Sequence, residues 1–376
     1  MTQTQAPEGM LAFSKYQGLG NDFILIEGRG DQLPAAIHSP DPAWVRRICD
    51  RRFGIGADGL ILALPPQASG ELRMRIFNAD GSEAEMCGNG IRCLARFLAD
   101  SDGDAAGRCW PIETPAGMII PELQPDGQIR VDMGAPFLEP ASVPTTLRAN
   151  EAGLPTGELQ VGEVSLPVAA VGMGNPHVVV PVSDLTTIPF EEWGTHLEIN
   201  SAFPAKTNVH FLQVHSRSQL EIRVWERGAG PTLACGTGAC ATLVAAVLLG
   251  LSDRQATVAL PGGPLEISWA ETTASVFMTG PADAVFDGVI NPELMPAAQT
   301  GSNGSLESQQ GPRLVETKSA ESTIKPVDDD CTEAEAQARV QAFLESTSLD
   351  SMINIATESL EPVSYTHLRA HETSFH

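Results

Sequence analysis

The sequence predicts an α+β protein made of two homologous, pseudo-symmetric halves related by a pseudo-twofold axis. Three observations carry that prediction. Short β-rich segments bounded by turn residues recur through the first 290 residues; two long helical patterns interrupt them; and the motifs around those patterns occur twice.

The β-rich segments are FILIEG (23–28), LILAL (60–64), MRIF (74–77), IRVDM (129–133), VVVPV (178–182), VHFLQVH (209–215) and LEIRVW (220–225). Their β-branched and aromatic residues between Gly, Pro and Asp punctuation read as strands. The helical patterns lie near 88–99 and 236–250, each preceded by a cysteine and a glycine. A third, PAWVRRICDRR at 42–52, reads as an amphipathic helix in which Cys49 is a small buried hydrophobe.

The repeat is visible motif by motif. GLGNDF (18–23) aligns with GMGNPH (172–177) at an offset of 154, and MCGNGIRC from Met86 aligns with ACGTGACA from Ala234 at 148. Phe77 matches Trp225, Gly117 matches Gly263, and Gly134 matches Gly280 in the same order. Any one of these glycine-containing matches arises by chance; their common order at nearly constant offset indicates halves of roughly 140 residues.

Composition excludes several classes. The chain has 376 residues and a formal charge of −24, so nucleic-acid phosphates and anionic lipid would repel it, and neither is an expected partner. The longest strongly apolar run, Cys240 to Leu251, is too short to span a bilayer. No basic-then-apolar leader opens MTQTQAPEGM, and seven unevenly spaced cysteines suit reduced thiols in the cytoplasm. Residues 291–376 hold 14 acids and 5 bases, net −9, leaving 33 and 18, net −15, for the rest. The stretch 291–330 has neither helix nor strand period and reads as a disordered linker. Thr332 and Glu335 form a capping-box pattern before a short helix expected near 333–346. The closing SYTHLRAHETSFH fits no element and resembles translated sequencing-adapter read-through, so it reads as non-native.

Duplication sets equivalent residues face to face across the pseudo-axis, so Cys87 and Cys235 are the natural pair in a cleft between the halves. Each precedes Gly-x-Gly and a helical run, which puts it at a helix N-terminus where unpaired N–H groups and the helix dipole favour a thiolate. The same N–H groups form a carboxylate cradle that small glycines let a ligand approach. Two thiols on opposite faces of one carbon suit stereochemical inversion, one removing a proton and the other returning one. Buried structural thiols are the alternative. Zinc is not expected, because the spacings Cys87–Cys93 and Cys235–Cys240 lack paired C-x₂₋₄-C ligands; Cys93 and Cys240 read as packing residues. No C-x-x-C redox motif is present.

The segments GLGNDF, FNADGSEAEMCGNGIRC (77–93), GMGNPH, TNVHF (207–211), WERGAGPTLACGTGACA (225–241) and LPGGPLEISW…MTGPADAVFDG (260–288) resemble the diaminopimelate epimerase family over about residues 13–290. The resemblance implies a β-sheet curled around a central helix in each half, with the active site in the cleft between them. It implies a cofactor-independent, metal-free isomerase that interconverts LL- and meso-diaminopimelate for lysine and peptidoglycan synthesis. By motif, Cys87 and Cys235 become the acid/base pair, and Gly88, Asn89, Gly236 and Thr237 belong to the helix N-termini that hold the reacting carboxylate. Asn21, Asn78, Asn175, Asn208, Glu226 and Arg227 become the substrate shell, with His177 and Glu226 tuning the cysteines. Arg227 offers a bidentate fork to a distal carboxylate, and Glu226 an acceptor to a distal ammonium. From the residues alone, Asn21 and Asn175 could instead serve left-handed turns, and Glu226–Arg227 could be a strand-end charge pair. Asp58 in GIGADG reads as a turn residue, and Gly59 departs from the glutamine frequent in the family.

On this reading the first half covers 11–138 with a returning segment at 280–290, the second covers 139–279, and 291–376 is an acidic extension. Relatives are often dimers, so a homodimer and a working monomer both stay open. Rival functions are a proline or hydroxyproline racemase of the same fold, and a non-catalytic binder of dicarboxylic amino acids. Asn89, where proline-type relatives have histidine, and the ERGAGPTLACGTG run argue against the first; retention of both thiols argues against the second.

Overall fold

A computed structural model describes residues 10–30 and 33–296; the helix expected near 333–346, the linker beyond 296 and the closing run lie outside the described residues. Two mixed sheets form, of eight and twelve strands. In the first, neighbouring strands run Asp283–Ile290, Leu11–Gly18, Asn21–Glu27, Gly59–Leu64, Leu72–Asn78, Ile112–Thr114 and Gly117–Ile119. The second contains the strands from Arg148–Ala149 through Val276–Gly280 and ends on Ile129–Asp132 and Glu122–Leu123.

Each sheet curls around one buried helix and carries another on its outer face. Helix α1 (Ala35–His38) is a single turn before α2 (Pro42–Cys49), and α3 (Gly88–Asp102) is the first central helix. In the second half α4 (Phe190–Glu198) lies outside and α5 (Gly236–Leu248) runs through the centre. Ile91, Leu94 and Leu98 of α3 pack on Phe23, Ile61 and Met74, while Ile24, Leu60 and Leu62 on the opposite face meet Trp44 and Ile48 of α2. Covered on both sides, Gly59–Leu64 is buried at every residue and reads as a continuous apolar run, not an alternating one. The second half repeats this: Val179 and Leu212 face α5, Val178 and Phe211 face α4. The predominantly apolar α5 is accordingly buried along most of its length. Among the described residues no helix is long and apolar enough to cross a membrane.

The two halves exchange strands. Asp283–Ile290 pairs antiparallel with Leu11–Gly18, returning the chain end to the first sheet. Reciprocally, Ile129–Asp132 pairs with Val276–Gly280 in the second sheet. A boundary drawn at 138/139 from the repeat therefore does not coincide with the sheets, because residues 122–132 are hydrogen-bonded into the second one.

Two local expectations need correction. Helix α2 stops at Cys49, short of 52, because the Asp50 carboxylate accepts the N–H groups of Arg52 and Phe53, both at 2.7 Å, and turns the chain. Residues 291–296 are not part of an unstructured linker. Asn291 accepts from the N–H of Glu293 at 3.0 Å, starting a 3₁₀ turn at Pro292–Leu294, and the Trp44 indole N–H donates to the Leu294 carbonyl at 2.6 Å. A chain ended after Ile290 should accordingly lose about 1–3 kcal/mol relative to one ended after Pro296, through the orphaned indole and lost apolar cover. Urea titration of the two truncations checks this.

Candidate active site

Helices α3 and α5 open with the two copies of Cys-Gly-x-Gly. Cys87 and Cys235 are their N-cap residues, in extended conformations (φ −141°, ψ 121° and φ −136°, ψ 103°), and neither thiol caps its own helix. The sulfurs are thereby left at the helix mouths, where the N–H groups of the first turn also point. Both cysteines line one cavity of about 490 Å³ together with Asn21, Gly88, Asn89, Glu226 and Gly236. A side chain on Gly88 or Gly236 would meet Met278, at 3.1 Å from Cε and 2.9 Å from Sδ respectively, so glycine lets the two helix starts close around that residue.

The repeated Gly-x-Gly-Asn motifs are hairpin loops. Gly18 pairs with Asn21 across a two-residue turn in which Leu19 and Gly20 take positive φ (56° and 85°), matching the right-handed strand twist. In the second copy the positive φ falls on Gly174. Neither asparagine is spent on a left-handed turn. The Asn21 amide oxygen accepts from Asn89 Nδ2 at 3.1 Å and lies 3.9 Å from the Cys87 sulfur, while its NH₂ donates to Asp58 at 2.9 Å.

Asp58 is therefore more than a turn residue: it orients Asn21 from the cavity wall. Arg51 reaches Asp22 and Asp58, each at 2.6 Å, and Lys15 reaches Asp22 at 2.8 Å. Burial raises the Asp22 carboxyl, but hydrogen bonds from Arg51 and Lys15 outweigh it and hold the group down at about 2. Asp58 goes the other way, since burial and the Asp22 charge outweigh what Asn21 and Arg51 give. Arg51 and Asp58 carry no local sequence signal of a site; only the turn after α2 brings them to the wall. At Gly59 a Cβ would lie 2.6 Å from the Phe77 carbonyl oxygen, so backbone occupies the space that a longer residue would need.

Behind Cys235 lies a chain of three polar side chains. The Asn175 amide oxygen accepts from His177 Nε2 at 2.7 Å, which leaves Nδ1 to accept from His210 Nε2 at 2.8 Å. His210 Nδ1 then meets no partner. One nitrogen from each ring and the Cys235 sulfur lie within 4.8 Å of one another. Such donors suit a soft cation, but three of the four ring nitrogens are already committed to each other and to Asn175. Both rings are fully buried; desolvation pushes His177 well below the ordinary histidine range and His210 to about 3. The unfolded chain binds protons on both below about pH 6.5 while the folded one does not. Stability present above pH 6.5 should therefore be lost as the pH falls towards 3, by about 1.4 kcal/mol per unit for each ring. Urea titrations between pH 7.5 and 5 should show this, with a smaller slope in His210→Gln.

The rest of the expected shell, Glu226 apart, is close but off the cavity wall. Thr237 places its hydroxyl 3.9 Å from the Cys235 sulfur. Asn208 donates to the Pro176 carbonyl and accepts the Arg227 backbone N–H at 2.9 Å, so it braces the turn after Glu226. Glu226 is on the wall; the Arg227 guanidinium donates to the Ala205 carbonyl at 3.1 Å. Asn78 donates to Ser82 at 2.8 Å, and its buried Oδ1 meets no donor. The arginines on the wall are Arg51 and Arg223, which sequence reasoning missed; His210 was visible inside TNVHF but carried no role there.

Comparison with known proteins bears on the family and the fold. The diaminopimelate epimerase family model matches residues 13–138 and 169–285. A diaminopimelate epimerase of Prochlorococcus marinus (strain MIT 9313) is 70% identical over 288 residues, 77% of this chain and 95% of the relative. Diaminopimelate epimerase 1 of Nostoc sp. is 56% identical over 279 residues, 74% of this chain and 99% of the relative. Among solved structures, a hydroxyproline epimerase from Agrobacterium vitis matches with TM-score 0.53 at 16% identity, covering 76% of this chain and 94% of that one. A phenazine biosynthesis protein of the PhzF family from Bacillus anthracis matches with TM-score 0.52 at 16% identity, covering 75% and 99%. At that identity the two structures speak to the fold alone: two pseudo-symmetric halves in the α+β class. Matched along both halves, with near-complete coverage of its curated relatives, the chain belongs to the diaminopimelate epimerase family.

Proposed function

We propose that this protein interconverts LL- and meso-diaminopimelate in the cytoplasm, without a cofactor, by a two-base mechanism. The observation that carries the reading is the placement of Cys87 and Cys235 as N-caps of two facing helices on one cavity, in a chain of this family. The reacting α-carboxylate accepts N–H groups from Gly88–Asn89 and Gly236–Thr237, which withdraws charge from the α-carbon as its proton leaves. One cysteine, as thiolate, takes the α-proton; the other, as thiol, gives a proton to the opposite face. The substrate leaves inverted and the two sulfurs have exchanged protonation states. His177 and Glu226 set which sulfur starts ionised. Asn21, Asn78, Asn175 and Asn208 hold or brace the substrate's polar groups, Glu226 takes the distal ammonium, and Arg227 the distal carboxylate. The working unit is the pair of halves within residues 11–290, alone or as a homodimer, and the acidic extension takes no part.

Incubation of reduced enzyme with LL-diaminopimelate in deuterated water tests this. Conversion to the meso isomer with deuterium at the α-carbon is expected, and a chain ended after Pro296 should turn over equally. No turnover, or equal turnover of proline, would overturn the assignment.

A further inference from the structure

Arg92 is fully buried one turn into α3, behind the two residues that open that helix onto the cavity. Among the described residues no carboxylate meets its guanidinium. Its acceptors are neutral: the Gly88 carbonyl at 3.2 Å, Asn89 Oδ1 at 2.9 Å, the Pro281 carbonyl at 3.4 Å and Met278 Sδ at 3.5 Å. A buried cation without an anion is costly, and folds usually pair it or leave it out.

Its contacts show what this one holds. Arg92 fixes Asn89 by its oxygen, so that the Asn89 NH₂ is aimed at Asn21, whose oxygen faces the Cys87 thiol. It also holds Met278, the residue against which both Gly88 and Gly236 close. Glycine at 18 and 280 admits the guanidinium, since a Cβ there would lie 3.2 Å from Nη2 and 3.4 Å from Nε.

We propose that Arg92 is a positioning residue whose uncompensated charge serves the helix-mouth site: it holds the Asn89–Asn21 relay in register with Cys87 and favours negative charge on that thiol and on the carboxylate bound beside it. This deepens the proposed epimerase reading and rests on it for the substrate. The other ionisable groups around the pair are Cys93 on α3, Cys240 on α5, Asp283 on the returning strand, Asp22 on the first sheet, and Arg51, Asp58, Glu226 and Cys235 around the cavity. Desolvation opposes the Arg92 charge, and the thiols of Cys93, Cys87 and Cys240 are the groups that favour it.

The test is the pH dependence of Cys87 alkylation by iodoacetamide, read site by site by mass spectrometry in substrate-free enzyme, alongside kcat and KM. Arg92→Gln should raise the alkylation midpoint by about one pH unit, as expected for losing a nearby opposite charge, and raise KM about tenfold. Arg92→Lys keeps the charge and loses the fork, so its midpoint should stay within about 0.3 unit of wild type while kcat falls. A folded Gln variant with the wild-type midpoint and KM overturns the proposal, whatever its melting temperature. If the Gln variant does not fold, the Lys variant decides: a midpoint shifted by a full unit overturns the charge role. Absent epimerase turnover in wild type would sink the assigned reaction and leave the alkylation result standing.

Discussion

Replacing either Cys87 or Cys235 by alanine is expected to abolish epimerisation, by roughly 10³-fold or more in kcat, with little change in folding. Loss of a positioned acid/base group commonly costs about 10²–10⁴ in rate, and no other thiol lines the cavity to take its place among the described residues. The structural cost should be small. Neither thiol caps its helix, so alanine removes one buried sulfur, worth about 1 kcal/mol by area. Stability and activity should therefore separate: near-wild-type urea midpoints with no conversion of LL-diaminopimelate to the meso isomer. Buried structural thiols would give the reverse, a destabilised protein with retained turnover. Full activity in either variant would refute the two-base mechanism.

Gly238→Ala should destabilise the protein and inactivate it, although helix propensity alone points the other way. In a helix interior alanine gains about 1 kcal/mol over glycine. At this position the new Cβ would lie 2.1 Å from His210 Cε1, 2.7 Å from His210 Nε2 and 2.9 Å from the Cys235 sulfur. His210 has no room to yield: it is fully buried, hydrogen-bonded to His177, and on a strand flanked by Val179 and Val224. Overpacking of this kind costs about 1–3 kcal/mol, and the displaced groups are the ones that back Cys235. The equivalent residue of the first half is a built-in control. A Cβ at Gly90 meets the tips of Ile76 at 2.8 Å and Ile61 at 3.3 Å, which are flexible side-chain ends. Gly90→Ala should thus be milder on both counts. Urea titration and the epimerase assay read the difference, and a stable, active Gly238→Ala protein would contradict the packing described for His210.

The fold was legible where its determinants are local. The α3 and α5 starts follow from a cysteine and small residues before an apolar run, and the structure begins both helices at the glycine after each cysteine. The end of α2 was misjudged because WVRRICDRR continues a helical pattern on paper while the Asp50 side chain captures the next two backbone N–H groups. The duplication was legible as well, down to the matched hairpin loops at Gly20 and Gly174. It could not show that Ile129–Asp132 crosses to the second sheet, because that strand alternates equally well against either sheet and only its partner, Val276–Gly280, decides.

The candidate site divides in the same way. Cys87, Gly88, Asn89, Cys235 and Gly236 were readable because the chemistry of a helix N-terminus is written within four consecutive residues. Arg51, Asp58, Arg92 and His210 were not, since each is placed by partners distant in sequence: Asn21 is 37 residues from Asp58, and Pro281 is 189 from Arg92. Sequence by itself determined the two related halves, the helix starts and the thiol pair, through periodicity and capping that act over one or two turns. Tertiary structure alone decided which charges stand behind those thiols. A buried arginine, a neutral histidine pair and a shared carboxylate are defined by desolvation and by neighbours the fold brings together, and no local pattern encodes either.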